Sequence, residues 1–302
     1  MDVKGVVGIQ NMGNTCYCNS VIQLLRACHD LNGFCLTNDF TNIKESKYKS
    51  ILLAYQDILK SLWSASKPAY VKPVGFLTEI KKAVQGTVYE MFGMPIPNDS
   101  HEFLIYLLDS FYEATKEDNS EIMSLFYGKI RKTICCNNCK NNTYQWEIFN
   151  TLKIPCEGNT LKEWVQNELK ETEIENYHCE NCNSRKYSAK IYSHIWKLPK
   201  NLFITIRRFN PNGSKNMTSC PYDGSNIQFT ELFESDDPSK NWVYELKGIC
   251  DHHGSHRGGH YTTQFKHPVT DEWWKMDDES TNKQLPQFSS NYIFLFRAIH
   301  DV

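Results

Sequence analysis

The stretch Arg257-Gly258-Gly259-His260-Tyr261, followed by Trp273-Trp274-Lys275-Met276-Asp277-Asp278, decides how this chain reads. A histidine behind two glycines can be approached closely by a substrate backbone, because neither neighbour carries a Cβ. Asp277 lies seventeen residues beyond His260. That separation suits a β-hairpin return, which sets a carboxylate beside the imidazole to fix its tautomer and steady the imidazolium. The pair lacks a nucleophile. One stands near the N-terminus, Cys16 in Asn11-Met12-Gly13-Asn14-Thr15-Cys16-Tyr17-Cys18-Asn19-Ser20. The spacing predicts a helix from Cys16 with Val21, Leu24, Leu25 and Cys28 as its buried stripe, capped by Thr15 or Asn14. A cysteine at that end meets the positive pole of the helix dipole, which is expected to lower its pKa. Asn11 is placed to donate its amide to a developing oxyanion. A thiol hydrolase with a Cys–His–Asp triad follows, with a buried structural role for Cys16 as the plain alternative.

The chain has 302 residues, a net charge of −2 and 13% aromatics. It can bury a sizeable core, and no basic field recommends a nucleic-acid partner. No apolar run approaches the roughly 18 residues of a membrane span. Met1-Asp2-Val3-Lys4-Gly5 is too polar for a signal peptide. Twelve cysteines without an export signal point to reduced thiols and metal, hence to cytosol or nucleus.

Helical spacing recurs at Ile51, Tyr55, Ile58, Leu59 and Leu62, and at Phe103, Leu104, Leu107, Leu108 and Phe111. Asp99 is expected to cap the second helix and Glu102 to close a capping box. From about residue 126 short alternating runs predict strands at Phe126 to Thr133, Thr143 to Ile148, Lys190 to Trp196 and Leu202 to Phe209. Between them stand Cys136-Asn137-Asn138-Cys139 and Cys179-Glu180-Asn181-Cys182, two knuckles that together complete a tetrahedral site for structural zinc. Cys135 leaves open which residue begins the first knuckle. A helix at about 160 to 170 fits the insertion between them. Pro-, Asn-, Gly- and Ser-rich loops are expected at 210 to 226 and 234 to 241. Strands resume at Val243 to Ile249, Tyr261 to Lys266, Trp273 to Met276 and Tyr292 to Arg297. His252, His253 and His256 are expected to line a mobile loop over the cleft rather than to bind a second metal.

These motifs, in this order, resemble those of the ubiquitin-specific proteases. Gly8 to Ser20 is similar to that family's Cys box, and Gly259-His260-Tyr261 with Trp274 to Asp278 to its His box. Asn98 to Leu104 resembles its acidic helix entry, Leu198 to Phe209 its central palm strand, and Tyr292 to Phe296 its closing strand. The resemblance covers about residues 5 to 297 and implies an α+β, papain-like cysteine protease of thumb, palm and fingers. As a single catalytic domain over 1–302, it would place a helical thumb at about 1–125. Zinc-clipped fingers would fall at about 126–150 and 175–197, and a palm at about 150–174 and 198–302. Carried over by position, Cys16 is the nucleophile, His260 the base and acid, Asp277 the orienting acid and Asn11 the oxyanion donor, with Asp278 sharing a role beside Asp277. Cys136, Cys139, Cys179 and Cys182 take the zinc positions. Gly258, Gly259 and Tyr261 would form a channel for the glycines of the ubiquitin tail, and Asp99 and Glu102 would pair with its arginines. The implied reaction is hydrolysis of the bond after the C-terminal Gly-Gly of ubiquitin on ubiquitinated proteins. Proteolysis of a ubiquitin-like modifier, and a ubiquitin-binding scaffold whose triad needs an activating partner, are the alternatives. Asn98 stands where glutamine is usual and Ser100 where alanine is usual, while no triad position departs.

Overall fold

The computed structural model describes residues 3–66, 68–117, 121–229, 242–255 and 258–299. A short strand β1 (Gly8–Ile9) leads into α1 (Cys16–Arg26), then α2 (His29–Thr37) and α3 (Lys47–Leu62). Strand β2 (Tyr70–Val71) pairs in parallel with β1. After it come α4 (Val74–Val84), α5 (Ser100–Thr115) and α6 (Glu121–Phe126). Local chemistry starts these helices. Ser46 accepts from Lys49 N at α3, and Asp99 accepts from His101 N and Glu102 N at α5. Their apolar stripes, including Ile51, Tyr55, Phe103 and Phe111, are fully buried in one cluster.

Strands β3 (Gly128–Cys136), β4 (Asn142–Phe149), β6 (Thr172–Cys179) and β7 (Ser184–Lys197) form an antiparallel sheet of order β4-β3-β7-β6. Between β4 and β6 the chain makes β5 (Thr151–Ile154) and α7 (Leu161–Leu169). Thr160 caps α7 by accepting from Glu163 N, and Leu161, Trp164 and Val165 are its buried face. The remaining strands are β8 (Asn201–Ile206), β9 (Ile227–Gln228), β10 (Val243–Ser255), β11 (Gly258–Lys266), β12 (Trp273–Asp277), β13 (Ser280–Lys283) and β14 (Asn291–Ala298). They build a sheet of order β13-β12-β11-β10-β14-β8-β5, with β9 on β10.

This sheet is covered on both faces in its middle. In β8 and β14, Phe203, Ile293 and Leu295 join the helical cluster, while Leu202, Ile204, Ile206, Phe294 and Phe296 join a second cluster with α7. Strands buried on both sides read as continuous apolar runs, as these do. The α+β class expected from the sequence is thus observed, with α1 to α6 gathered on one face of the large sheet and α7 on the other. Several expected boundaries move, among them the extension of β10 to Ser255 and of β7 back to Ser184. Phe126 ends α6 instead of beginning a strand. The chain also leaves the sheet after Ile206, because the buried Arg208 guanidinium turns to the carbonyls of Asn216 and Thr218. The four-stranded sheet takes in Thr172, slightly before the expected limit of 175. The expected loop at 234 to 241 lies outside the described residues.

Candidate active site

Cys16 opens α1, and that helix is buried along its whole length. Asn19, Gln23 and Arg26 recur at i, i+4 and i+7 on it and serve the segment from Val7 to Gln10 that contains β1. Asn19 Nδ2 donates to the carbonyls of Ile9 and Gln10, Gln23 Nε2 to that of Val7, and Arg26 Nη1 also to that of Val7. Carbonyls of a buried segment that no strand ladder satisfies need such donors. The expected side-chain cap is not formed. Thr15 Oγ1 faces the loop, accepting from Met12 N, and Asn14 donates to Pro95 O. Asn11 Oδ1 instead organises the loop by accepting from Gly13 N and Thr15 N. The first N–H groups of α1 stay free of side-chain caps beside the sulfur.

The electrostatics of that sulfur overturn the expectation of a lowered pKa. Burial pushes the Cys16 thiol above its ordinary value, and the Asp278 carboxylate adds to the shift. The backbone N–H groups of Tyr261, Tyr17 and Cys16 itself oppose it without prevailing. Desolvation disfavours the thiolate more than these donors favour it.

The hairpin read from the sequence is present: β11 and β12 are antiparallel, and His260 Nε2 lies 2.6 Å from Asp277 Oδ1. The other ring nitrogen is left for a different partner. Asp278 does separate work. Its carboxylate is only 11% exposed and stands 4.0 Å from His260 Nε2. It accepts from Asn11 Nδ2 and Asn19 Nδ2, both at 2.8 Å. Asp278 sits at φ +47° in the turn between β12 and β13, a conformation that aspartate tolerates better than most residues. The turn is pinned to β1, since Ile9 N donates to Asp278 O and Asn11 N to Glu279 Oε1. Gly8 is required there: a Cβ on it would lie 2.2 Å from Glu279 O. Asn19 was not singled out from the sequence. Its signal was the polar i, i+4, i+7 stripe on a helix otherwise read as apolar.

A cleft of about 500 Å³ runs from Cys16 between α5 and the large sheet, past Asp99, Glu102, Gly258, Gly259 and Tyr261. Gly259 is explained by its partner strand more than by substrate approach. A Cβ there would meet His253 O at 2.3 Å and His252 Nε2 at 2.4 Å. Tyr261 is buried, with its ring beside those of His252 and Tyr292. Asp99 is already engaged, capping α5 with one oxygen and accepting from Tyr292 Oη at 2.7 Å with the other. The Glu102 carboxylate makes no bond back to close a capping box and has no hydrogen-bond or ion-pair partner among the described residues. Asn98 turns its amide to Met91 O and Ile96 O. His252 and His253 lie in β10 and not in a loop, and His256 lies outside the described residues.

At the far end of the four-stranded sheet, Cys136, Cys139, Cys179 and Cys182 hold their sulfurs within 4.8 Å of one another, an arrangement able to hold a metal ion. Each knuckle is followed by a residue in the left-handed region, Lys140 at φ +59° and Asn183 at φ +50°. Asn138 donates to Cys182 Sγ and Asn181 to Cys139 Sγ, so the knuckles brace each other. Cys135 is outside the cluster, which settles the start of the first knuckle at Cys136.

The family model described as ubiquitin carboxyl-terminal hydrolase matches residues 7–296. The chain belongs to that family. It is 26% identical over 336 residues to the ubiquitin carboxyl-terminal hydrolase Usp2 of Drosophila melanogaster, covering 97% of this chain and 35% of that one. To the ubiquitin carboxyl-terminal hydrolase 2 of Rattus norvegicus it is 24% identical, covering 92% of this chain and 51% of that protein. The chain therefore spans between a third and a half of the length of these relatives. Among solved structures, it superimposes on a SAGA DUB module of Ubp8, Sgf11, Sus1 and Sgf73 bound to monoubiquitin. There the TM-score is 0.83 at 22% identity, over 98% of this chain and 70% of that one. The same module bound to ubiquitin aldehyde gives a TM-score of 0.81 at 22% identity, over the same 98% and 70%. At such identity the likeness establishes the fold. No helix among the described residues is long and apolar enough to cross a membrane.

Proposed function

We propose that this chain is a deubiquitinating thiol hydrolase that cleaves the peptide or isopeptide bond after the C-terminal Gly-Gly of ubiquitin. The observation that carries this reading is the division of labour between adjacent acids. Asp277 holds His260, while Asp278 holds Asn11 beside the entrance of the helix that begins with Cys16. In this reading His260 takes the thiol proton as Cys16 Sγ attacks the carbonyl carbon. The raised thiol pKa makes that general-base step part of the reaction instead of a pre-formed thiolate. The oxyanion receives the second amide hydrogen of Asn11 and a backbone N–H at the start of α1. His260 then returns the proton to the leaving lysine amine, and water cleaves the thioester by the same base. Glu102 takes a basic residue of the ubiquitin tail, whereas Asp99 keeps α5 in place. Residues 1–302 act as one catalytic domain of thumb, fingers and palm, and cytosolic or nuclear residence is consistent with twelve free cysteines.

The four clustered cysteines are proposed to hold a structural zinc ion. Tetrahedral Zn–S bonds of about 2.3 Å imply sulfur–sulfur edges of about 3.8 Å. The pairs Cys139–Cys179 and Cys136–Cys182 stand at 3.6 and 4.0 Å. An ion held by these four thiolates would clamp the tip of the finger sheet and would keep no open position for chemistry.

Reaction with ubiquitin carrying a C-terminal electrophile, read by mass spectrometry beside Cys16→Ala, tests the hydrolase. One ubiquitin added to the wild type and none to the variant is expected. Because the solved neighbours are multi-subunit modules, a partner-activated scaffold is the second reading. It predicts ubiquitin binding without an adduct. Neither binding nor adduct removes ubiquitin and leaves a ubiquitin-like modifier.

A further inference from the structure

The charged residues that line the cleft are not equally available. Asp99 is engaged as cap and acceptor, Arg208 donates to backbone carbonyls, and Arg207 pairs with Glu168. The side chains of Glu102 and Lys153 have no hydrogen-bond or ion-pair partner among the described residues, and both residues are exposed. They belong to different elements of the lining. Glu102 is in the first turn of α5, and Lys153 is on β5, the end strand of the large sheet. Lys153 leaves β5 on the same face as Thr151, two residues earlier. Thr151 Oγ1 is 2.9 Å from Nε2 of His101, the residue next to Glu102. The cleft is therefore lined, among the described residues, by an anion on α5 and a cation on β5 whose side chains are both without a partner.

We propose that Lys153 is a specificity-determining residue that takes an acidic side chain of the bound modifier, while Glu102 takes its basic tail residue. This rests on the hydrolase reading and deepens it. A partner with only basic groups at the cleft would leave Lys153 repelling it, while one with both signs is held in a single orientation by complementary charges. A lysine on an end strand also discourages edge-to-edge pairing, and that role alone would leave substrate kinetics untouched.

The test uses the full chain and ubiquitin bearing a C-terminal aminomethylcoumarin. Lys153→Glu is expected to raise KM by about three- to tenfold with kcat unchanged, Lys153→Met to fall between, and Lys153→Arg to keep the wild-type KM. Raising salt from about 0.05 to about 0.5 M should collapse the difference. An unchanged KM in Lys153→Glu overturns the proposal while the hydrolase reading stands. A lowered KM also overturns it, by showing that Lys153 opposes a basic group. A wild type that does not turn over this substrate overturns both.

Discussion

Replacing Asp278 by asparagine separates the two adjacent acids. The carboxylate accepts one bond from Asn11 Nδ2 and one from Asn19 Nδ2, each 2.8 Å long. An asparagine side chain keeps a single acceptor oxygen, so at least one of these charge-assisted bonds is lost. Such a bond contributes about 1.5–3 kcal/mol when buried. The carboxylate is 11% exposed, so solvent screening removes little of this. If the loss falls on the placement of Asn11 in the transition state, kcat drops about 10- to 150-fold at one decade per 1.36 kcal/mol, with KM little changed. A second consequence follows from charge. Asp278 helps to raise the Cys16 thiol pKa, so its neutralisation moves that pKa down. Single-turnover kinetics with the coumarin substrate and the pH dependence of Cys16 alkylation measure the two effects independently. Asp277→Asn, which disturbs the imidazole itself, should be far more damaging, by about 10⁴ as for orienting acids in other triads. An Asp278→Asn enzyme with kcat within about twofold of wild type and an unmoved alkylation midpoint would refute the division of roles.

Three further outcomes follow from the packing. Burial holds His101 neutral, with its pKa lowered to about 4. The unfolded chain therefore binds a proton near pH 6.5 that the folded one refuses. Stability from this group is complete above pH 6.5 and is lost as pH falls toward 4, by about 3 kcal/mol. Urea midpoints across that range should fall less for His101→Gln than for wild type, and parallel curves would count against it. Gly259→Ala should cost about 1–3 kcal/mol by overpacking against His252 and His253, seen as a lower melting temperature; an unchanged melting temperature would contradict the contact. Cys179→Ser should reduce bound zinc from about one equivalent per chain to near none by elemental analysis, because three thiolates leave the tetrahedron incomplete. Full retention of zinc would exclude the four-cysteine site.

Much of this protein was legible in the residues alone. The separation of His260 from Asp277 foretold the hairpin that joins them, because a two-fold strand period and a return of that length leave few other solutions. The C-x-x-C pairs marked the thiol cluster, since each knuckle is a local turn, and helical spacing found α1, α3, α5 and α7. Tertiary structure alone decided the rest. Whether Asp278 serves His260 or Asn11 depends on β1, Gly8 and Asn19, which are remote from it in the chain. The sign of the Cys16 shift was misjudged because a helix dipole is local, whereas desolvation is set by everything packed around the sulfur. Likewise the sequence foretold the Asp99 cap, but only the fold shows that Tyr292 takes its second oxygen while the Glu102 and Lys153 side chains are left without a partner among the described residues. Periodicity and local turns are written along the chain, while burial and the pairing of charges arise only when distant segments meet.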